Sequence, residues 1–150
     1  MSRYVVLKAP HPVLERKSEP VTDFNNKLHR MLDDMKETLK YYDGLGLAAP
    51  QIGINKRIAI IDTGDGYFEI INPVLIEHSG YQTGPEGCLS VPNRQGEVKR
   101  YKDIKVKAFD RNGEEKIHHV KDLTARAFQH EMDHLDGILF TEKCDDLYEV

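Results

Sequence analysis

The stretch Gln129-His130-Glu131-Met132-Asp133-His134 limits what this chain can fold into more than any other, because it gives one helix both a core side and a chemistry side. Successive helical residues turn by about 100°, so His130 and His134 lie about 40° apart on one face, a turn from each other. Ala125, Phe128, Met132 and Leu135 follow 3, 4, 3 spacing and gather roughly opposite the histidines. Two imidazoles so placed can share one ion. Glu131, about 100° round from His130, can reach a water on that ion without ligating it, which is the position of a general base in metal-assisted hydrolysis. The same spacing also suits an exposed polar face, so a third ligand decides between the two.

Cys88 is the candidate third ligand. It stands in Glu86-Gly87-Cys88-Leu89-Ser90, with glycine before it and a strand-like Leu89-Ser90-Val91 after it, a place from which a thiolate can face a helix while backbone N–H groups stay available. A thiolate with two imidazoles suits a borderline metal, for which the residue types alone point to zinc, and three protein ligands leave a fourth position for water. The competing readings of Cys88 are a small buried hydrophobe and a nucleophile paired with a histidine. The first explains nothing else in the sequence, and the second leaves Glu131 and one histidine idle.

A chain of 150 residues is expected to form a single domain over 1–150 with one sizeable core. Its formal net charge of −4 and the absence of any basic run argue against direct nucleic-acid binding. Two cysteines, no signal-peptide pattern and no apolar stretch approaching a membrane span point to a reducing, cytoplasmic setting with no membrane association.

Along the chain, Pro10, Pro12 and Pro20 make residues 1–20 an extended arm, with His11 structural or exposed. Phe24, Leu28, Met31, Leu32, Met35, Leu39 and Tyr42 predict an amphipathic helix, capped by Thr22 or Asp23 and stopped at Gly44. The following Gly44-Leu45-Gly46-Leu47-Ala48-Ala49-Pro50-Gln51 allows close backbone approach to a ligand, but lacks the Lys and Ser/Thr of a phosphate loop. The Gln51 amide could donate to a developing oxyanion. Strands are expected at Ile58 to Ile61, Tyr67 to Ile71 and Val74 to His78, and a second hairpin at Ile104 to Ala108 and Ile117 to Val120 around Asp110-Arg111-Asn112-Gly113. Adjacent strand residues face opposite ways, so His118 and His119 are read as non-catalytic.

Three segments, in order, resemble the peptide deformylases: Gly44 to Gln51, Glu86 to Ser90, and His130 to His134. The resemblance implies an α+β fold in which antiparallel strands surround a central metal-binding helix, with an amphipathic helix towards the N-terminus. It implies metal-dependent hydrolysis of the formyl group from N-formylmethionine on nascent polypeptides, releasing formate. Cys88, His130 and His134 would bind the metal, natively Fe²⁺ and replaceable by Zn²⁺, Ni²⁺ or Co²⁺. Glu131 would be the general base and acid, Gln51 and the Leu89 backbone N–H the oxyanion donors, and the Gly46 backbone a contact to the substrate chain.

An apolar pocket for the methionine side chain is expected from Leu45, Leu123 and Ala127. Glu86 and Arg100 are expected to support the histidines from behind. The substrate brings the protein transiently near the ribosome, while the short acidic segment from Thr141 to Val150 does not support a basic docking tail, and Cys144 is read as a bystander. The alternative functions are a zinc metallopeptidase, which shares His-Glu-x-x-His but usually takes its third ligand downstream of the helix, and a structural metal module, which would want four closed ligands.

Overall fold

The computed structural model describes residues 2–150, so Met1 of the expected arm lies outside the described residues. The architecture is α+β, with two α-helices and a six-stranded antiparallel sheet. The strands are β1 (Gly46–Ala48), β2 (Ile58–Asp62), β3 (Tyr67–Cys88), β4 (Val91–Phe109), β5 (Glu115–Lys121) and β6 (Cys144–Glu149). They run β1-β2-β3-β4-β5 across the sheet, and β6 also pairs with β4. Among the described residues, no helix is long and apolar enough to cross a membrane.

The period-2 alternation of β2 and β3 divides the core. Ile58, Ile60 and Ile71 pack with Leu28, Leu32, Met35 and Leu39 of helix α1 (Asn26–Tyr42). Ala59, Ile61 and Ile70 pack with Ala125, Phe128 and Leu135 of helix α2 (Asp122–Leu135). Side chains that alternate along a strand go to opposite faces, so one buried strand serves both helices.

The α1 termini differ from the expected ones. Asn25, rather than Thr22 or Asp23, is the N-cap, its side chain accepting the Leu28 N–H at 3.0 Å. Asp43, rather than Gly44, takes the left-handed position at φ 54°, and its N–H reaches the Leu39 and Lys40 carbonyls.

Two strands expected on either side of Asn72-Pro73 are one long strand. Asn72 bulges at φ 52°, and its carboxamide pairs with the Val21 main chain, accepting from N at 2.8 Å and donating to O at 2.9 Å. The bulge tolerates Pro73, which a regular central strand would not. Likewise Leu89-Ser90 is not strand. Cys88 pairs with Val91, so Leu89 and Ser90 are the tip of a tight hairpin joining β3 to β4.

That hairpin fills one side of β4 along most of its length. The other side is shared: β6 pairs with Arg94 to Val98, and β5 with Asp103 to Phe109. Between Val98 and Asp103 no strand lies on that side of β4 among the described residues, and α2 side chains approach instead: Arg126 Nη1 donates to Val98 O at 3.0 Å. The N-terminal arm is pinned to the same region, with Leu7 N donating to Gln51 O at 2.7 Å and Ala9 N to Ser90 O at 2.9 Å.

Candidate metal centre

Cys88 is the last residue of β3, and the hairpin turn that follows aims its thiol at α2. Sγ lies 3.3 Å from His134 Nε2. One donor atom from each of Cys88, His130 and His134 falls within 4.8 Å of the others. The two imidazoles come from successive turns of α2, with ring centroids 5.1 Å apart.

The expected support behind the histidines is present and larger than the sequence indicates. Glu86 Oε1 takes His130 Nδ1 at 2.9 Å, which leaves the other ring nitrogen of His130 for an ion. The same carboxylate is gripped by Arg100 through two bonds of 2.8 and 2.9 Å, and by Arg126 Nη1 at 2.6 Å. Arg100 also reaches Asp133, one residue before His134. Burial alone would push the Glu86 carboxyl up, but hydrogen bonds from Arg100 and His130 outweigh it and hold it at about 2. Arg126 and Asp133 were not anticipated, although Arg126 precedes His130 by one helical turn and so shares its face.

Burial disfavours charge on His130, yet its hydrogen bonds to Cys88 and Glu86 prevail and raise it to about 10. Burial, reinforced by the charge on His130, moves His134 well below its ordinary value. Its Nδ1 is buried without a protein partner. A sulfur and two imidazoles at this separation, with one imidazole oriented by a carboxylate, form a donor set that fits a borderline divalent metal.

Glu131 sits beside this cluster and is 4 % exposed. Burial lifts its carboxyl to about 7, and Oε1 has no protein partner. Gly46 of β1 explains how so buried a carboxylate fits: a Cβ there would come within 2.6 Å of Glu131 Oε2. Gln51, buried in the short 3-10 turn Ala49–Ile52, has its amide oriented. Its oxygen accepts Ala48 N at 2.9 Å, and its nitrogen faces Ser90 Oγ at 3.2 Å and Cys88 Sγ at 3.6 Å.

A cleft of about 630 Å³ opens over these groups. Leu45, Gly46, Leu89, Leu123 and Ala127 line it, with His130 and Glu131 also on its wall. Leu45 and Leu123 are each 47 % exposed, as open walls of a cleft would be. The histidines outside it have local partners. His118 packs edge-on to Phe68, His119 meets Asp103 at 2.6 Å, and the His11 side chain accepts Val13 N.

Comparison with known proteins places this arrangement in a family. The peptide deformylase of Heliobacterium modesticaldum is 51 % identical over 145 residues, covering 97 % of this chain and 96 % of that one. Peptide deformylase 1 of Bacillus subtilis is 52 % identical over 145 residues, with 95 % and 91 % covered. The crystal structure of peptide deformylase from Thermotoga maritima superposes with a TM-score of 0.95 at 39 % identity, covering 97 % of this chain and 100 % of that one. With the polypeptide deformylase family model matching residues 4–149, the chain belongs to the polypeptide deformylases.

Proposed function

We propose that Cys88, His130 and His134 hold one divalent metal ion and that Glu131 is the proton-transfer group of a hydrolase acting on N-formylmethionyl peptides, the activity of this family. The observation that carries the assignment is the buried Glu131 carboxyl, with an oxygen free of protein partners, beside three metal-type donors of which Cys88 and His130 line the cleft. When bound, the metal supplies Lewis-acid polarisation and brings the pKa of a water in its open position towards neutrality.

The protein groups then have separate tasks. Glu131, lifted to about 7 by burial, can accept a proton from the attacking water and return it to the departing amine near neutral pH. Gln51 Nε2 and the Leu89 N–H at the hairpin tip donate to the oxygen that gains charge as the formyl carbon becomes tetrahedral. Such donors are worth about 2.7–4 kcal/mol each in barrier when preorganised. Gln51 is preorganised because Ala48 N holds its carbonyl end. The Gly46 main chain lies alongside the substrate backbone, and Leu45, Leu123 and Ala127 receive the methionine side chain.

We assign the whole of residues 1–150 to one catalytic domain with α2 as its central metal-bearing helix, and Fe²⁺ as the native ion. The substrate places the protein in the cytoplasm and transiently near ribosomes. A zinc metallopeptidase is not favoured: the family match covers residues 4–149, and the third donor comes from Cys88, upstream of the helix. The test is formate release from formyl-Met-Ala-Ser by anaerobically purified protein of measured metal content. Activity retained by Glu131→Ala would overturn the mechanism, and cleavage of internal peptide bonds would overturn the substrate assignment.

A further inference from the structure

Within the gap on the shared edge of β4, the Tyr101 main chain is met from α2 by a side chain that the reaction does not use. Gln129 is half-buried and places its carboxamide against the main chain of Tyr101 as a strand would. Its Oε1 accepts Tyr101 N at 2.9 Å and its Nε2 donates to Tyr101 O at 2.9 Å, a carbonyl that also accepts Gln82 Nε2 of β3 at 3.1 Å, so the Tyr101 N–H is the group that Gln129 alone satisfies. The second amide hydrogen goes to Ala125 O, one turn back in α2, at 2.9 Å. Both amide hydrogens and the oxygen are engaged, so exchanging the two ends of the amide would lose these bonds. On the other side of the same peptide stands Arg100, which grips Asp133.

The spacing of these contacts gives them a role. Gln129 and Asp133 are four residues apart, on one face of α2, and both are tied to the dipeptide Arg100-Tyr101. His130 and His134 are each the next residue along. Two anchors a turn apart on one face fix both the rotation of a helix about its axis and its sliding along it, since either movement must break both. We propose that Gln129 is a positioning residue for the metal ligands: its strand-like pairing with Tyr101 sets the rotation of α2 at which His130 and His134 meet Cys88. This rests on the reading of those three residues as a metal site.

The test uses Co²⁺-loaded protein, in which the absorption of the ion reports its ligand geometry. Gln129→Met keeps most of the side-chain length and removes the three hydrogen bonds. It is compared with Asn72→Gly, which removes the similar two-bond amide pairing with Val21 far from the site and relieves the positive φ there. The expected result is that Gln129→Met releases Co²⁺ to a chelator about ten-fold faster or more, with a changed Co²⁺ spectrum and a lower kcat at little-changed KM. Asn72→Gly lowers Tm while leaving the release rate and spectrum those of the parent. If Gln129→Met does not fold, Gln129→Asn is read in its place, because its amide is a methylene too short to reach β4 and the same loss is expected. A release rate within about two-fold of the parent and an unchanged spectrum would overturn the positioning role. A parent protein that fails to take up one Co²⁺ per chain would instead overturn the metal-site reading beneath it.

Discussion

Replacing Glu86 with glutamine removes one negative charge from a pocket where Arg100, Arg126 and His130 all converge on it, and leaves the volume almost unchanged. The size of the effect follows from the carboxyl itself, which the fold holds at about 2 against an ordinary 4.5. At about 1.4 kcal/mol per pH unit, that shift is worth about 3 kcal/mol of folding stability at neutral pH. Breaking a buried ion pair by removing one partner costs about 3–5 kcal/mol, an independent figure of the same size. Because the folded pKa is depressed, the contribution is fully present above about pH 4.5 and is lost as pH falls towards 2. Glu86→Gln is therefore expected to melt about 6–12 °C below the parent at pH 7, with the gap closing through the acid range. Urea unfolding of both metal-free proteins from pH 7 to pH 2.5 measures it. A gap under about 1 kcal/mol at pH 7, or one that stays constant down to pH 2.5, would refute the argument that Arg100 and His130 hold Glu86 ionised.

Gly46→Ala puts a Cβ 2.6 Å from Glu131 Oε2, so kcat/KM for a formylated peptide should drop about a hundred-fold while circular dichroism stays that of the parent. Gly137, at φ 76° with a prospective Cβ 2.6 Å from Glu15 O, joins the end of α2 to the N-terminal arm, and Gly137→Ala should cost about 2 kcal/mol or more in urea unfolding. Stripping the protein with a chelator should abolish formate release, and returning Ni²⁺ at about a thousand times its Kd should restore it and stabilise the fold by about 4 kcal/mol. Glu131→Gln should keep its Ni²⁺ and lose turnover, with metal content and formate release measured on one sample.

Both helices were legible from their apolar spacing, and Ile58 to Ile61 from its continuous apolar run, because each signal is carried by neighbouring residues. The continuity of β3 through Asn72-Pro73 was not, since it depends on a hydrogen-bonded exchange between Asn72 and Val21 that are 51 residues apart. The donor set was legible because its chemistry needs unusual residue types: a cysteine and two histidines at helical spacing. Nothing in the sequence singles out Arg126, and only the fold brings it against Glu86. Gln129 was equally silent, because a glutamine beside a histidine carries no sign that a sheet edge will be missing a strand opposite it.

That missing strand bears on the order in which the molecule can be built. Helix α2 has no side-chain cap at its N-terminus, and it buries Arg126, His130, Glu131 and His134 among its polar residues. A 14-residue helix of this kind has little reason to persist by itself in water. It gains its partners only once β3 and β4 have paired, when Cys88 arrives from 46 residues upstream of His134 and Tyr101 presents its N–H to Gln129. Contacts so distant in sequence form late because the intervening loop must close first. The proposed metal site is thus a property of the completed sheet, and a newly made chain that has not finished folding has not yet brought its three donors together.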